Sequence, residues 1–353
     1  MDAGSGIGRR DLAGKLAPET AMNHLPTTLV ALSLLTACHS GPPPAADAPT
    51  WAIAIHGGAG TLGKNRPAAE FAEYEAVLTR ALRHGADLLD GGAEALDVCE
   101  AVVRILEDDP HFNAGYGAVF NAVGAHELDA SIMDGATMRC GAVTGVRTVK
   151  NPVSLARLVM TKTPHVLLMG DGAEQFADSV GVERVPNSHF DTPSRKRALE
   201  RALRAQEKNA SIDLPQTKND RYGTVGCVVR DRRGHLAAAT STGGMTAKRF
   251  GRVGDAPVIG AGNYADDTVA VSCTGTGEEF IRHSIAHSVS AHMKLAGQSL
   301  EQATHAVIFD VLQKDDGGLI SVDKDGNLAT PFNSEGMYRG TANSAGRFEV
   351  AIF

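Results

Sequence analysis

The chain has 353 residues, 43% of them apolar and 21% charged. These values exclude a mainly disordered chain, a coiled coil or a polytopic membrane protein, and they leave room for one large domain or two ordinary ones. A net charge of −7 offers no field for nucleic acid, and aromatics at 5% are too few for base-stacking platforms.

The segment 27–37, TTLVALSLLTA, is uncharged and largely apolar. It is too short to span a bilayer, which takes about 20 residues, and it suits the apolar region of an export signal. Leu35-Thr36-Ala37-Cys38 resembles a bacterial lipobox, which makes Cys38 a candidate for lipidation and the protein an exported, periplasmic lipoprotein. The Pro/Ala/Gly run that follows reads as a tether, so residues 1–50 are assigned to leader and tether. The apolar run lies far from Met1, and Met22 suits the start of such a signal better. The competing reading is a buried N-terminal helix in a cytoplasmic protein. The remaining cysteines, Cys99, Cys140, Cys227 and Cys273, show no CxxC pair or metal-ligand spacing. They read as small apolar core residues.

Residues 51–55 (WAIAI) form a strand that runs into the glycine turn HGGAG. Residues 68–89 carry helical spacing, with Tyr74, Val77, Leu78, Ala81 and Leu82 on one face. A second amphipathic helix covers 95–106, and FNAGYGAVFN at 112–121 is a glycine-punctuated loop. Strands are expected at 128–133 and 141–148, and a helix opens at Pro152. Residues 194–219 read as a charged helix fading into a solvated linker. Strands follow at 223–230 and 235–240 around the turn 231–234, and another at 268–273. Amphipathic helices at 278–294 and 300–312 precede a closing hairpin of 319–322 with 328–331. The linker divides the fold into halves at 51–223 and 224–353.

The chemistry concentrates after the linker. Gly223 precedes Thr224, which opens the apolar run TVGCVV. Thr242 lies in ATSTGG, three hydroxyls beside two glycines. GRVGD supplies Arg252 and Asp255 in a glycine turn; together they can clamp an α-carboxylate and an α-ammonium. In CTGTGEE, Thr274 and Gly275 sit where a strand passes into a helix, and backbone N–H groups there can stabilise an oxyanion. A phosphate loop is excluded because no GxxxxGK[ST] run is present. His56 is read as supporting the glycine turn.

Seven blocks together resemble the plant-type asparaginase and isoaspartyl peptidase family of N-terminal nucleophile hydrolases. They are IHGGAG (55–60), FNAGYGAVFN (112–121), HELDASIMDG (126–135), GTVGCVVRD (223–231), ATSTGGMT (239–246), GRVGDAPVIGAG (251–262) and CTGTGEEFIR (273–282). The resemblance implies an α+β fold, a four-layer αββα sandwich, and a precursor that cuts itself between Gly223 and Thr224. It implies Thr224 as nucleophile, Thr242 as its neighbour, and Thr274 with Gly275 as the oxyanion hole. Arg252 would take the substrate α-carboxylate, Asp255 and Gly277 the α-ammonium, with Thr276 in the substrate site and Asn113 beside the nucleophile. It further implies no organic cofactor or catalytic metal, a dimer of processed αβ units, and a sodium ion held by the main-chain carbonyls of Leu106, Glu107, Asp109, Phe112, Ala114 and Tyr116. The substrates would be isoaspartyl dipeptides and L-asparagine. Glycosylasparaginase is the nearest alternative: Thr276 and Glu278 favour the peptidase, whereas 263–268 (NYADDT) looks more like the glycosyl branch. A non-catalytic periplasmic amino-acid-binding lipoprotein is a distant third reading.

Overall fold

The computed structural model describes residues 48–60, 62–63, 67–208 and 223–353. The apolar segment 27–37, Cys38 and residues 209–222, which include the end of the charged linker, lie outside the described residues. From the first described strand, β1 (Ala52–Gly60), the chain passes through helices α1 (Ala68–Asp90) and α2 (Ala95–Glu107) to strands β2 (Leu128–Asp134) and β3 (Cys140–Val146). Helix α3 (Pro152–Lys162), strand β4 (Leu167–Met169) and helices α4 (Gly170–Val180) and α5 (Pro193–Lys208) complete the first half. The second half begins with β5 (Val225–Arg230), β6 (Leu236–Thr242), β7 (Asn263–Ala265) and β8 (Val269–Gly275). Helices α6 (Gly277–Arg282), α7 (Ile285–Ala296) and α8 (Leu300–His305) precede β9 (Gly317–Asp323), β10 (Leu328–Ala329), β11 (Gly336–Asn343) and β12 (Phe348–Ala351).

Two sheets stack, one of eight strands in the order β12-β11-β1-β5-β6-β2-β3-β4 and one of four in the order β10-β9-β8-β7. The first sheet draws strands from both halves of the chain, with β1 and β5 paired antiparallel at its centre. Strand alternation explains the layering, because successive side chains serve opposite faces. Ile53, Ile55, Cys227, Val229, Ala237 and Ala239 pack against the apolar faces of α1 and α2. Ala52, Ala54, Val228, Leu236 and Ala238 face the second sheet, meeting Ala270, Ile320 and Val322. The far side of that sheet, Val269, Val271, Cys273 and Leu319, is covered by Ile285 and Val289 of α7 and Ala303 of α8. The result is helix, sheet, sheet, helix. It is the α+β, four-layer αββα sandwich that the sequence blocks imply.

Several elements differ from their sequence reading. The expected helix at 278–294 is two helices, broken at Ser284, whose φ of 48° interrupts the helical path. That at 300–312 is α8 followed by a π-helical turn over Ala306–Val311. Residues 319–322 and 328–331 do pair, through β9 and β10, but they do not close the fold. β11 returns to the first sheet beside β1, and β12 makes its edge. Cys99, Cys227 and Cys273 are buried and free, whereas Cys140 is only half-buried at the start of β3.

Gly226 marks where the two sheets come closest to the site. A Cβ there would lie 2.0 Å from Ser272 Oγ and 2.4 Å from His56 Nε2. Gly226→Ala is therefore expected to lower stability by about 1–3 kcal/mol through overpacking. A urea midpoint equal to that of the unmodified protein would contradict this.

Candidate active site

Three backbone segments meet at the Gly223–Thr224 junction. β1 bulges between His56 and Gly58, and a Cβ on Gly58 would sit 2.3 Å from the Gly223 nitrogen. Gly223 has φ +112°, and a Cβ on it would meet the Asn113 nitrogen at 2.3 Å. Only glycine combines that φ with that proximity. The Asn113 N–H donates to the Gly223 carbonyl at 2.8 Å. The Asn113 side chain ties the loop down, donating to the Gly244 carbonyl (2.7 Å) and accepting from the Val119 N–H (2.9 Å).

Thr224 stands just before β5, with its hydroxyl 3.0 Å from that of Thr242 at the end of β6. Thr242 also accepts the Gly244 N–H at 3.0 Å, so its own hydrogen is available to Thr224 Oγ. His56 is fully buried, and its Nδ1 lies 2.9 Å from the Thr224 carbonyl. A carbonyl only accepts, so Nδ1 carries the hydrogen and Nε2 accepts from Ser272 Oγ at 3.0 Å. The chain continues to Thr240, 2.7 Å from Ser272. Burial pushes the His56 pKa down to about 3, against the pull of the Thr224 carbonyl.

Thr224, Thr242, Arg252, Asp255, Gly275, Thr276 and Gly277 line one cleft, together with Gly244, Met245, Gly254 and Glu278. Thr274 does not line the cleft; it is buried in β8 next to Gly275 and accepts the Ala59 N–H at 3.2 Å. Thr276 lines the cleft, but its hydroxyl is turned to Asp316 Oδ1 at 3.1 Å. Arg252 is already paired: Nε and Nη2 each donate at 2.9 Å to the two oxygens of Glu278. Asp255 is buried, and among the described residues its Oδ2 has no hydrogen-bond donor. Burial raises its pKa to about 6, with Arg252 pulling the other way. The residues 263–268 are absent from the cleft lining. Asn263 is buried between the sheets and donates to Ser131 Oγ at 3.0 Å.

The family model for asparaginase matches residues 49–352. The chain belongs to the asparaginase family. It is similar to the isoaspartyl peptidase of Salmonella typhimurium, 51% identical over 294 residues that span 81% of this chain and 93% of that protein. The isoaspartyl peptidase of Escherichia coli is 48% identical, over 81% and 91% respectively. The probable isoaspartyl peptidase/L-asparaginase 2 of Arabidopsis thaliana is 46% identical, over 86% and 99%.

Sequence reading passed over Glu278 as a partner of Arg252, the Ser272–Thr240 relay, and Lys248 with Asp129 behind the cleft wall. Hydroxyls in strands and a single lysine in a loop carry no spacing signal. Only the TGTGE run pointed at Glu278.

His56 gives a test of the buried relay. Between pH 6.5 and about 3 the unfolded chain binds a proton on this ring that the fold does not, so stability falls as pH falls. The loss amounts to about 1.4 kcal/mol per pH unit within that window. His56→Gln is expected to show a shallower decline in unfolding free energy from pH 6.5 to 4 than the unmodified protein. Equal slopes would mean that the ring protonates freely in the fold.

Proposed function

We propose that this chain is a self-cleaving β-aspartyl amidohydrolase that removes β-linked aspartate from isoaspartyl dipeptides and also hydrolyses L-asparagine. The observation that carries the reading is a hydroxyl-paired Thr224 directly after a carbonyl held by the Asn113 N–H. In the cut, Thr224 Oγ attacks the Gly223 carbonyl carbon, and Asn113 N–H steadies the oxygen as it gains charge. The Oγ proton passes to the Thr224 nitrogen as the Gly223–Thr224 C–N bond breaks, leaving a free amine and an ester, and water hydrolyses the ester to the Gly223 carboxylate and the Thr224 hydroxyl. Residues 51–223 and 224–353 then become the two subunits.

The new amine has an ordinary pKa of about 7.7–8.0, suited to a general base. It takes the proton from Thr224 Oγ, which attacks the side-chain carbonyl of the aspartyl group. Thr274 Oγ–H and the Gly275 N–H hold the oxyanion, and Thr242 steadies Oγ. The C–N bond breaks, and the proton returns to the leaving amine. Water, deprotonated by the same amine, then releases aspartate. Arg252 takes the α-carboxylate, and Asp255 with Gly277 takes the α-ammonium; Thr276 borders the subsite. Low pH opposes both steps, since it protonates Asp255 and the base. The names of the relatives support the peptidase over glycosylasparaginase and over a binding protein.

The loop 106–116 suits a sodium ion. Glycines at 115 and 117 let the loop close tightly on itself, since Cβ atoms there would meet the carbonyls of Glu107 at 2.4 Å and of Phe112 at 2.6 Å. Among the described residues no cluster of His, Cys, Asp or Glu competes as a metal site. The carbonyls of Leu106, Glu107, Asp109, Phe112, Ala114 and Tyr116 would hold the ion, a hard cation on hard donors. Its contribution is to stiffen the loop that carries Asn113. Exchanging sodium for choline at equal ionic strength is expected to lower the melting temperature; an unchanged value removes the ion.

Intact mass of the purified protein beside Thr224→Ala tests the main reading. Two fragments meeting at 223/224, with an uncut variant, are expected, together with turnover of β-aspartyl-leucine in preference to GlcNAc-Asn. An uncut protein after long incubation overturns it. The same spectra read the leader, since export and anchorage predict loss of residues before Cys38 and added lipid mass. Native mass reads the dimer of αβ units.

A further inference from the structure

Behind the cleft wall lies a buried charge that the mechanism above does not use. The Lys248 side chain is 1% exposed, and so is that of Asp129. Lys248 Nζ donates to the Glu127 carbonyl at 2.9 Å and stands 3.8 Å from Asp129 Oδ2 and 4.0 Å from Glu127 Oε2. Asp129 Oδ1 is satisfied by the Thr144 hydroxyl (2.6 Å) and the Gly145 N–H (2.9 Å), whereas among the described residues Oδ2 has no hydrogen-bond donor. A lone buried carboxylate is costly, so the ammonium is its compensation.

The pair adjoins both halves of the site. Asp129 on β2 is directly opposite Thr242 on β6. Directly opposed residues project from the same face of the sheet with Cβ atoms about 5 Å apart. Thr242 in turn touches Thr224 Oγ. Two residues along the same face of β2, Ser131 Oγ donates to the carbonyl of Ala256, the neighbour of Asp255. Lys248 Nζ also backs the cleft wall, for a Cβ on Gly244 would lie 3.0 Å from it.

We infer that Lys248 is a positioning residue whose buried ammonium cancels the charge of Asp129 behind the cleft, and so keeps Asp255 ionised and the Thr224 amine unprotonated in the working pH range. The inference rests on the roles proposed above for those two groups. The sign is the same for both: an uncompensated Asp129 opposes ionisation of Asp255 and favours the ammonium form of the Thr224 amine. Either effect moves the acid limb of activity to higher pH. The other charged or titratable groups facing Asp255 are Arg252, Glu278 and the Cys273 thiol, and none of them changes in the test. Those facing Lys248 are Glu127 and Asp129.

The experiment is the pH profile of kcat/KM for β-aspartyl-leucine, on fully cut protein, for the unmodified enzyme, Lys248→Met, Asp129→Asn and the double variant. Lys248→Met is expected to move the acid limb up by about one pH unit, and Asp129→Asn to move it down. The double variant returns it towards its starting place. A merely structural role would lower activity without opposite shifts. If Lys248→Met does not fold, Asp129→Asn and the double variant still decide. Limbs that stay within 0.2 unit, or shift in the same direction, overturn the inference, even where activity falls. An unmodified enzyme with no acid limb at all would instead count against the roles proposed for Asp255 and the amine.

Discussion

The cleft depends on one constraint, the close approach of three chain segments around the Gly223–Thr224 peptide bond. Gly58, Gly223 and Asn113 come so near that a single Cβ on either glycine would strike backbone. That contact brings a donor to the Gly223 carbonyl and fixes where Thr224 begins. The rest of the site is referenced to the same point. β1 carries His56 to the Thr224 carbonyl and Ala59 to the Thr274 hydroxyl. One bulged strand therefore registers the threonine at the junction with the buried threonine beside Gly275.

The sheets supply the rigidity this needs. β5 and β6 lie at the middle of the eight-stranded sheet and have helices on one face and the second sheet on the other. Polar groups trapped between the sheets are joined in series rather than left alone. His56, Ser272 and Thr240 form one run: with the Ser272 hydrogen given to His56 Nε2, the Thr240 hydroxyl donates to Ser272 Oγ at 2.7 Å. Such runs hold geometry because breaking one link leaves a buried group unpaired. Neutral hydroxyls and a neutral imidazole do this without adding charge near Thr224.

Much of this was legible in the sequence, because it is written in glycine and hydroxyl clusters. GT, ATSTGG and TGTGE each contribute to the cleft lining, HGGAG packs against the Gly223–Thr224 junction, and the helical periodicity of 68–89 matches the buried face of α1. What escaped reading has a common physical cause. The ends of the 278–294 and 300–312 helices are set by backbone conformation at Ser284 and by a π-helical turn, neither of which alters the apolar spacing. β11 was missed because its burial comes from pairing with β1 far away in sequence, so no local alternation announces it. The Arg252–Glu278 and Lys248–Asp129 pairs join distant segments, and charged residues read singly look like solvated surface.

The Arg252–Glu278 pair also bears on the substrate clamp of the proposed reading. A guanidinium bound side-on through Nε and Nη2 is held in one plane while its remaining N–H groups stay available. Here those groups abut glycines: a Cβ on Gly254 would lie 2.6 Å from Nη1, and one on Gly277 would lie 2.7 Å from Nη2. The same Cβ on Gly277 would stand 2.9 Å from Asp255 Oδ1. One missing side chain thus uncovers a cationic donor and an anionic acceptor together. On the proposed reading, Glu278 does not compete with the substrate for Arg252. It fixes the fork, and Gly277 leaves room for a zwitterion between the fork and Asp255, so recognition of a free α-amino acid end follows from an absent Cβ as much as from the charges beside it.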